Sequence, residues 1–104
     1  MAPLTESLNT PDMSGFTPIH LAAGNGHTEI VKILSTLTDN PNAPNMWGRT
    51  PIHMAAGYGF TEIVKILVHL TDNPNPPNNF GFTPIHVAAE MRHTEIVQIL
   101  THFT

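Results

Sequence analysis

Residues 50–67 read TPIHMAAGYGFTEIVKIL, and this stretch decides the fold because the chain contains it three times. Residues 17–34 read TPIHLAAGNGHTEIVKIL, and residues 83–100 read TPIHVAAEMRHTEIVQIL. The copies start at Thr17, Thr50 and Thr83, a constant spacing of 33 residues. A strict period of this length is typical of a repeat protein in which one supersecondary unit stacks on the next.

Each copy predicts a pair of helices. In the central copy Pro51 follows Thr50, and a proline at the first helical position after a threonine N-cap is a favourable helix start. Gly59 can supply the left-handed residue of a tight interhelical turn, and Thr61 and Glu62 then open a second helix with an apolar stripe. The sequence therefore predicts helix pairs at about 17–37, 50–70 and 83–103.

The segment between two pairs contains Asn45-Met46-Trp47-Gly48 just before Thr50-Pro51, a pattern that predicts a β-turn. Together with TPIHxAA and the helix start GHTEIV or GFTEIV, it resembles the ankyrin repeat family over roughly residues 4–104. The resemblance implies an all-α ankyrin repeat solenoid of three helix-turn-helix units with β-turn loops. The family usually has glycine directly after the second helix, where this chain has Thr38 and Thr71.

The domain organisation follows from the same period. One ankyrin repeat domain is expected over residues 1–104, with repeats at about 13–45, 46–78 and 79–104. Residues 1–12 match the later loops at an offset of 33, as in Leu4-Thr5 against Leu37-Thr38. We expect them to be the remnant of a preceding repeat's loop.

Composition narrows the classes of partner. The chain has 104 residues, 40% of them hydrophobic, a net charge of −4 with only four basic residues, and no cysteine. So few basic residues argue against a nucleic-acid partner, and the sequence lacks an apolar run long enough to span a membrane. Without cysteine, disulfides and thiolate metal sites are excluded. We expect no cofactor and no small-molecule substrate. Localisation stays open: cytoplasmic for a natural protein, recombinant for an engineered one.

The seven histidines raise the question of a metal site. His20, His53 and His86 recur once per repeat, so they should lie about one repeat apart, whereas the ligands of one ion must converge on it. The resemblance implies instead that each is buried and hydrogen-bonded near its Thr-Pro turn. Asn9, Asn42 and Asn75 also recur, and we expect them to bond their own backbone. No catalytic triad or carboxylate pair is recognisable, so the chain is predicted not to be an enzyme.

The candidate binding residues are the positions at which the repeats differ. They lie at the turn tips, on the first helix, at its end, and at or next to the interhelical turn. The resemblance implies that these positions share one concave surface. Every aromatic residue except Phe103 falls among them, and aromatic residues, Met and Arg are enriched at interface hot spots. The predicted partner-binding residues are Met13, Ser14, Phe16, Asn25, Met46, Trp47, Arg49, Met54, Tyr58, Phe60, Asn79, Phe80, Phe82, Met91 and Arg92.

The sequence therefore predicts a protein–protein interaction module that grips one folded partner with a concave face rich in aromatic residues and methionine. Near-identical repeats with contrasting surface residues favour an engineered ankyrin-type binder. Two alternatives stay open: a fragment of a natural ankyrin repeat protein, and a consensus-like folding scaffold without a dedicated partner. The partner's identity does not follow from the sequence.

Overall fold

The computed structural model describes residues 10–104, which form three antiparallel helix pairs and contain no strand. In the first pair α1 spans Pro18–Gly24 and α2 spans Thr28–Leu37. In the second, α3 spans Pro51–Tyr58 and α4 spans Thr61–Leu67, followed by a 3₁₀ turn at Val68–Leu70. In the third, α5 spans Pro84–Glu90 and α6 spans Thr94–Phe103. The predicted all-α fold is confirmed.

The helix pairs stack in sequence order. The first helices α1, α3 and α5 contact one another in series, and the second helices α2, α4 and α6 form a parallel series beside them. Alanines such as Ala23 and Ala56 are fully buried, which allows the first helices to approach closely. Isoleucine, valine and leucine from the second helices fill the space between the two series, as Ile63 and Leu67 do in the central pair. One continuous core results.

A threonine and a histidine close each helix start. In the central pair the Thr50 hydroxyl accepts a hydrogen bond from the backbone N–H of His53, at 3.2 Å. In return the backbone N–H of Thr50 donates to Nδ1 of His53, at 3.1 Å. This reciprocal pair satisfies N–H groups that a helix terminus leaves without a partner. The predicted start at Thr-Pro is confirmed, with the histidine in a role that glutamate often takes.

Each connecting loop ends in a β-turn stabilised by one side chain. The Asn45 carboxamide oxygen accepts from the backbone N–H groups of Trp47 and Arg49, each at 2.9 Å. Gly48 closes the turn with a bond from its N–H to the Asn45 carbonyl, and its φ of 77° is one that glycine adopts readily. Asp12 and Asn78 make the equivalent bonds in the other two turns. The turn tips therefore keep one shape although their side chains differ.

The loop asparagines contradict the sequence prediction. The Asn42 carboxamide oxygen accepts from the backbone N–H of Ile52, ten residues ahead, and Asn75 does the same for Ile85. These side chains tie each loop to the first turn of the following helix instead of bonding their own backbone. Asn9, the third member of that set, lies outside the described residues, as does most of the predicted loop remnant at residues 1–12.

The family's usual glycine after the second helix is not needed here. Thr38 and Thr71 both adopt extended backbone conformations, with φ of −106° and −144°. No left-handed residue is therefore required where the chain leaves α2 or the 3₁₀ turn after α4. None of the helices in residues 10–104 is long and apolar enough to cross a membrane.

Candidate recognition face

Two of the recurrent histidines each bond to the turn of the following helix pair. Nε2 of His20 donates to the carbonyl oxygen of Arg49 at 2.9 Å, and Nε2 of His53 donates to the carbonyl oxygen of Phe82 at 2.8 Å. Because Nδ1 accepts from the threonine N–H, the proton of the neutral ring lies on Nε2. Each histidine therefore holds the turn that follows it in position.

The prediction that all three recurrent histidines are buried is wrong for His86. His20 and His53 are buried, whereas His86 is exposed. The N–H of Thr83 still donates to Nδ1 of His86, at 3.0 Å, so the local bond is kept. His86 is exposed because no further turn follows α5 among residues 10–104 to pack over its ring.

Burial lowers the pKa of His20 and of His53 below the ordinary value of 6.5. The charged ring would lose hydration, and a proton on Nδ1 would oppose the N–H that already points at it. The positive charge of Arg49 also lowers the pKa of His53, while the carbonyl oxygen of Phe82 partly offsets both effects. The neutral form is the one that holds the turns.

A cleft with a volume of about 420 Å³ lies between the second and third helix pairs. We call it the recognition cleft. Its walls come from the turns at 45–49 and 78–82 and from α3 and α5, and most of the lining surface is apolar. The lining residues are Arg49, His53, Met54, Gly57, Tyr58, Asn78, Phe80, Phe82, Val87, Glu90 and Met91.

The cleft brings together residues that are exposed despite their apolar character. Tyr58 is 66% exposed, Phe80 65% and Met91 57%. Large apolar side chains clustered around a concavity are the usual composition of a binding site. Six of the predicted binding residues line the cleft, namely Arg49, Met54, Tyr58, Phe80, Phe82 and Met91.

Trp47 lies outside the cleft. Its ring packs against Phe16, with ring centroids 6.0 Å apart, and Phe16 packs edge-on against His20 at 5.7 Å. These contacts form a second aromatic group at the junction of the first two helix pairs. Met13 and Met46 are exposed at the tips of the same two turns. The predicted residues therefore divide into two groups, one at each junction.

Some predicted binding residues have structural partners. The Asn25 carboxamide donates to the Leu21 carbonyl at the end of α1, at 2.7 Å. The Asn79 carboxamide donates to the Met46 carbonyl of the preceding turn, at 2.8 Å. Ser14, through its carbonyl, accepts from the N–H of Met46. Asn79 and Ser14 thus fix the turn tips relative to one another, and Asn25 stabilises the end of α1.

Phe60 also has a structural role. It is partly buried against the core, and its ring lies directly over Gly26, where an added Cβ would meet Cε1 at 2.9 Å. His93 lies over Gly59 in the same way. The ring at this position therefore packs on the interhelical glycine of the preceding pair. Arg92, which occupies the glycine position in the third pair, has a φ of 62°, as the repeat pattern predicted.

Five lining residues are absent from the predicted set, namely His53, Gly57, Asn78, Val87 and Glu90. Glu90 stands where the earlier pairs have Gly24 and Gly57. This replacement of glycine by a carboxylate is a difference between the repeats that could have identified Glu90 from the sequence. Neither Arg49 nor Glu90 takes part in an ion pair within residues 10–104, where the pairs found lie on the second helices. The cleft thus offers one cationic and one anionic group beside its apolar walls.

No metal-binding cluster of three or more His, Cys, Asp or Glu residues occurs in the described part of the chain. His20 and His53 are engaged at separate junctions, as their bonds to Arg49 and Phe82 show. Their arrangement serves the stacking of turns.

Comparison with known families gives a match over most of the chain. The profile of the family described as ankyrin repeats, in three copies, matches residues 4–75 and 35–103. No curated protein matches the chain.

Proposed function

The chain belongs to the ankyrin repeat family, whose members are in general protein–protein interaction modules without enzymatic activity, and we propose that it binds one folded partner protein. The contact surface would be the face formed by the turn tips and the exposed sides of α1, α3 and α5. We call this surface the recognition face. The division into repeats at 13–45, 46–78 and 79–104 is part of the same proposal.

The observation that carries the proposal is the exposure of Tyr58, Phe80 and Met91 around one cleft. Tyrosine and phenylalanine bring a large apolar area with few rotatable bonds, so a partner orders them at a small entropic cost. Residues of these types at the centre of an interface supply most of its binding free energy. The recognition cleft is therefore the proposed energetic centre.

The charges at the cleft specify the kind of partner surface that fits. A bulky apolar side chain of the partner would enter the cleft between Tyr58 and Phe80. An acidic group of the partner would lie near Arg49, and a basic group near Glu90, since both residues line the cleft and neither has an ion pair within residues 10–104. Complementary charges of this kind favour the correct orientation and suppress wrong partners.

The Phe16–Trp47 group would extend the contact to the first two helix pairs. Trp47 is only 37% exposed because it packs on Phe16, so part of its surface already serves the fold. It should contribute to binding at the edge of the contact, where water still has access, and less than the residues of the cleft.

We further propose that the chain is an engineered binder. The first two copies of the 18-residue stretch differ only at Leu21/Met54, Asn25/Tyr58 and His27/Phe60, and these positions lie on the first helix, at its end and at the interhelical turn. Directed variation of a fixed framework produces this distribution. A longer natural parent with similar aromatic residues would favour a natural fragment instead, and failure to bind any partner would favour a consensus-like scaffold.

The test uses a partner identified by co-purification and shown to be folded, titrated with purified variants by calorimetry. Tyr58→Ala and Phe80→Ala should each weaken binding by about 2 kcal/mol, roughly thirtyfold in Kd. Both side chains are well exposed, so the melting temperatures should hardly change. Lys32→Ala on α2, outside the recognition face, is the matched control and should bind as the parent does. Unchanged affinity in both aromatic variants would refute the proposal.

A further inference from the structure

The first helix pair exposes apolar residues that its neighbours bury. Ile30 on α2 is 48% exposed, whereas Ile63 and Ile96 at the same position in the next two pairs are 0% and 1% exposed. Ile33, one turn further on, is 60% exposed. In the second and third pairs this side is covered by the preceding pair. We call the open side of the first pair, formed by Leu21, Ile30 and Ile33, the front face.

The third helix pair is open on its opposite side. Ala89 is exposed, whereas Ala23 and Ala56 at the same position are fully buried. His86 is exposed in the same way, and Val97 is only partly buried. In the first and second pairs this side is covered by the following pair. We call the open side of the third pair, formed by His86, Ala89 and Val97, the back face.

The two open faces are the two halves of a junction that the chain forms twice internally. The back-face residues His86, Ala89 and Val97 repeat the residues that the first pair presents to the second. On the front face, Ile30 and Ile33 repeat Ile63 and Ile66, which the second pair presents to the first. The faces are therefore complementary to each other at these positions. Arg92 stands where Gly26 and Gly59 lie under the rings of Phe60 and His93, so the exposed His27 of the next copy must take another orientation there.

The polar groups of the junction are also present on both faces. At the internal junctions Nε2 of the histidine donates to the carbonyl of Arg49 or Phe82. Each of those carbonyls also accepts a bond from its own turn, from the N–H of Asn45 or Asn78. Phe16 occupies the same position, and its carbonyl accepts from the N–H of Asp12. A carbonyl oxygen has two lone pairs, and no second bond to the Phe16 carbonyl occurs within residues 10–104. That lone pair is the one that His86 of another copy would use.

We propose that two copies of this chain associate head to tail, the back face of one on the front face of the next, so that the solenoid continues across the contact. Nε2 of His86 donates to the Phe16 carbonyl of the neighbouring copy, and Ile30 of that copy is covered as Ile63 and Ile96 are. The contact is heterologous, so it leaves one open face at each end and adds further copies as concentration rises.

The experiment measures the mass of the full chain by sedimentation velocity from low to high micromolar concentration. Ala89→Arg blocks the back face, because an arginine cannot fit where Ala23 and Ala56 are buried. Ile30→Asp blocks the front face, and Ile33→Lys replaces it should that variant fail to fold. Thr36→Asp is the matched control. Thr36 on α2 is exposed, and so are His69 and His102, which occupy the same position in the other two pairs.

The parent chain and Thr36→Asp should increase in mass with concentration. Ala89→Arg alone and Ile30→Asp alone should stay monomeric, and an equimolar mixture of the two should form a 1:1 dimer through the faces left intact. A monomeric parent chain at every concentration would overturn the proposal. So would self-association of Ala89→Arg alone, which indicates a symmetric contact, or loss of association in Tyr58→Ala, which indicates the recognition face.

Discussion

The interhelical position that is Gly26, Gly59 and Arg92 in the three pairs allows a reciprocal test of backbone strain. The φ angles are 76°, 82° and 62°, so all three residues are left-handed. A residue with a Cβ in this region is destabilised by about 1–2 kcal/mol relative to a right-handed conformation. Replacing Arg92 with glycine removes that strain but adds freedom to the unfolded chain, which offsets about 0.4–1 kcal/mol.

Arg92→Gly should therefore raise the free energy of unfolding by up to about 1 kcal/mol, equivalent to a rise in Tm of about 4 °C for a domain of this size. Gly59→Ala should do the opposite. The new Cβ meets the left-handed penalty and also lies 2.7 Å from Cε1 of His93, so the ring that covers this glycine must move. The net loss should exceed about 1 kcal/mol.

Urea unfolding followed by far-UV circular dichroism measures both changes as shifts in the transition midpoint at constant slope. Because Arg92 belongs to the proposed recognition face, its replacement should also weaken partner binding while it stabilises the free chain. A lower midpoint for Arg92→Gly, or a higher one for Gly59→Ala, would show that left-handed strain does not govern this position.

Three further outcomes are expected. The pKa values of His20 and His53 are lowered by burial, so the unfolded chain binds protons more readily than the folded one. The free energy of unfolding should therefore be full above pH 6.5 and fall as the pH drops below it. Urea midpoints that stay constant with pH would contradict this. Gly57→Ala should stabilise the chain by up to about 1 kcal/mol in thermal melts, because this glycine is helical and no atom lies within 4 Å of an added Cβ; a lower Tm would contradict it. Asn42→Ala should destabilise by about 1–3 kcal/mol in urea unfolding, because the buried N–H of Ile52 loses its acceptor, and a neutral result would show that water replaces it.

The repetition explains why the fold could be predicted from the sequence. A period of 33 residues fixes the number of helix pairs, and Thr50-Pro51 fixes where a helix begins, because proline and a threonine cap act locally. Long-range contacts were harder to predict. Asn42 was expected to bond the backbone of its own loop, which local turn chemistry favours. Its carboxamide oxygen instead accepts from the N–H of Ile52, and the two groups meet only once the loop has folded onto α3.

The recognition face shows a similar division. Variation between repeats identifies Tyr58 and Phe80 as surface residues, because buried framework positions are held constant. It does not reveal that the two side chains line one cleft while Trp47 packs on Phe16, since that depends on which junction each turn faces. The exposure of His86 likewise depends on the absence of a following turn within residues 10–104. It could not be predicted because the same histidine occurs in all three repeats.

The histidine bonds to the carbonyls of Arg49 and Phe82 also bear on the order in which the array unfolds. The central helix pair takes part in both junctions, whereas each outer pair takes part in one. Opening the central pair breaks two sets of neighbour contacts, and opening an outer pair breaks one. Amide hydrogens of α1, α2, α5 and α6 should therefore exchange through local fraying, while those of α3 and α4 exchange only when the whole molecule unfolds.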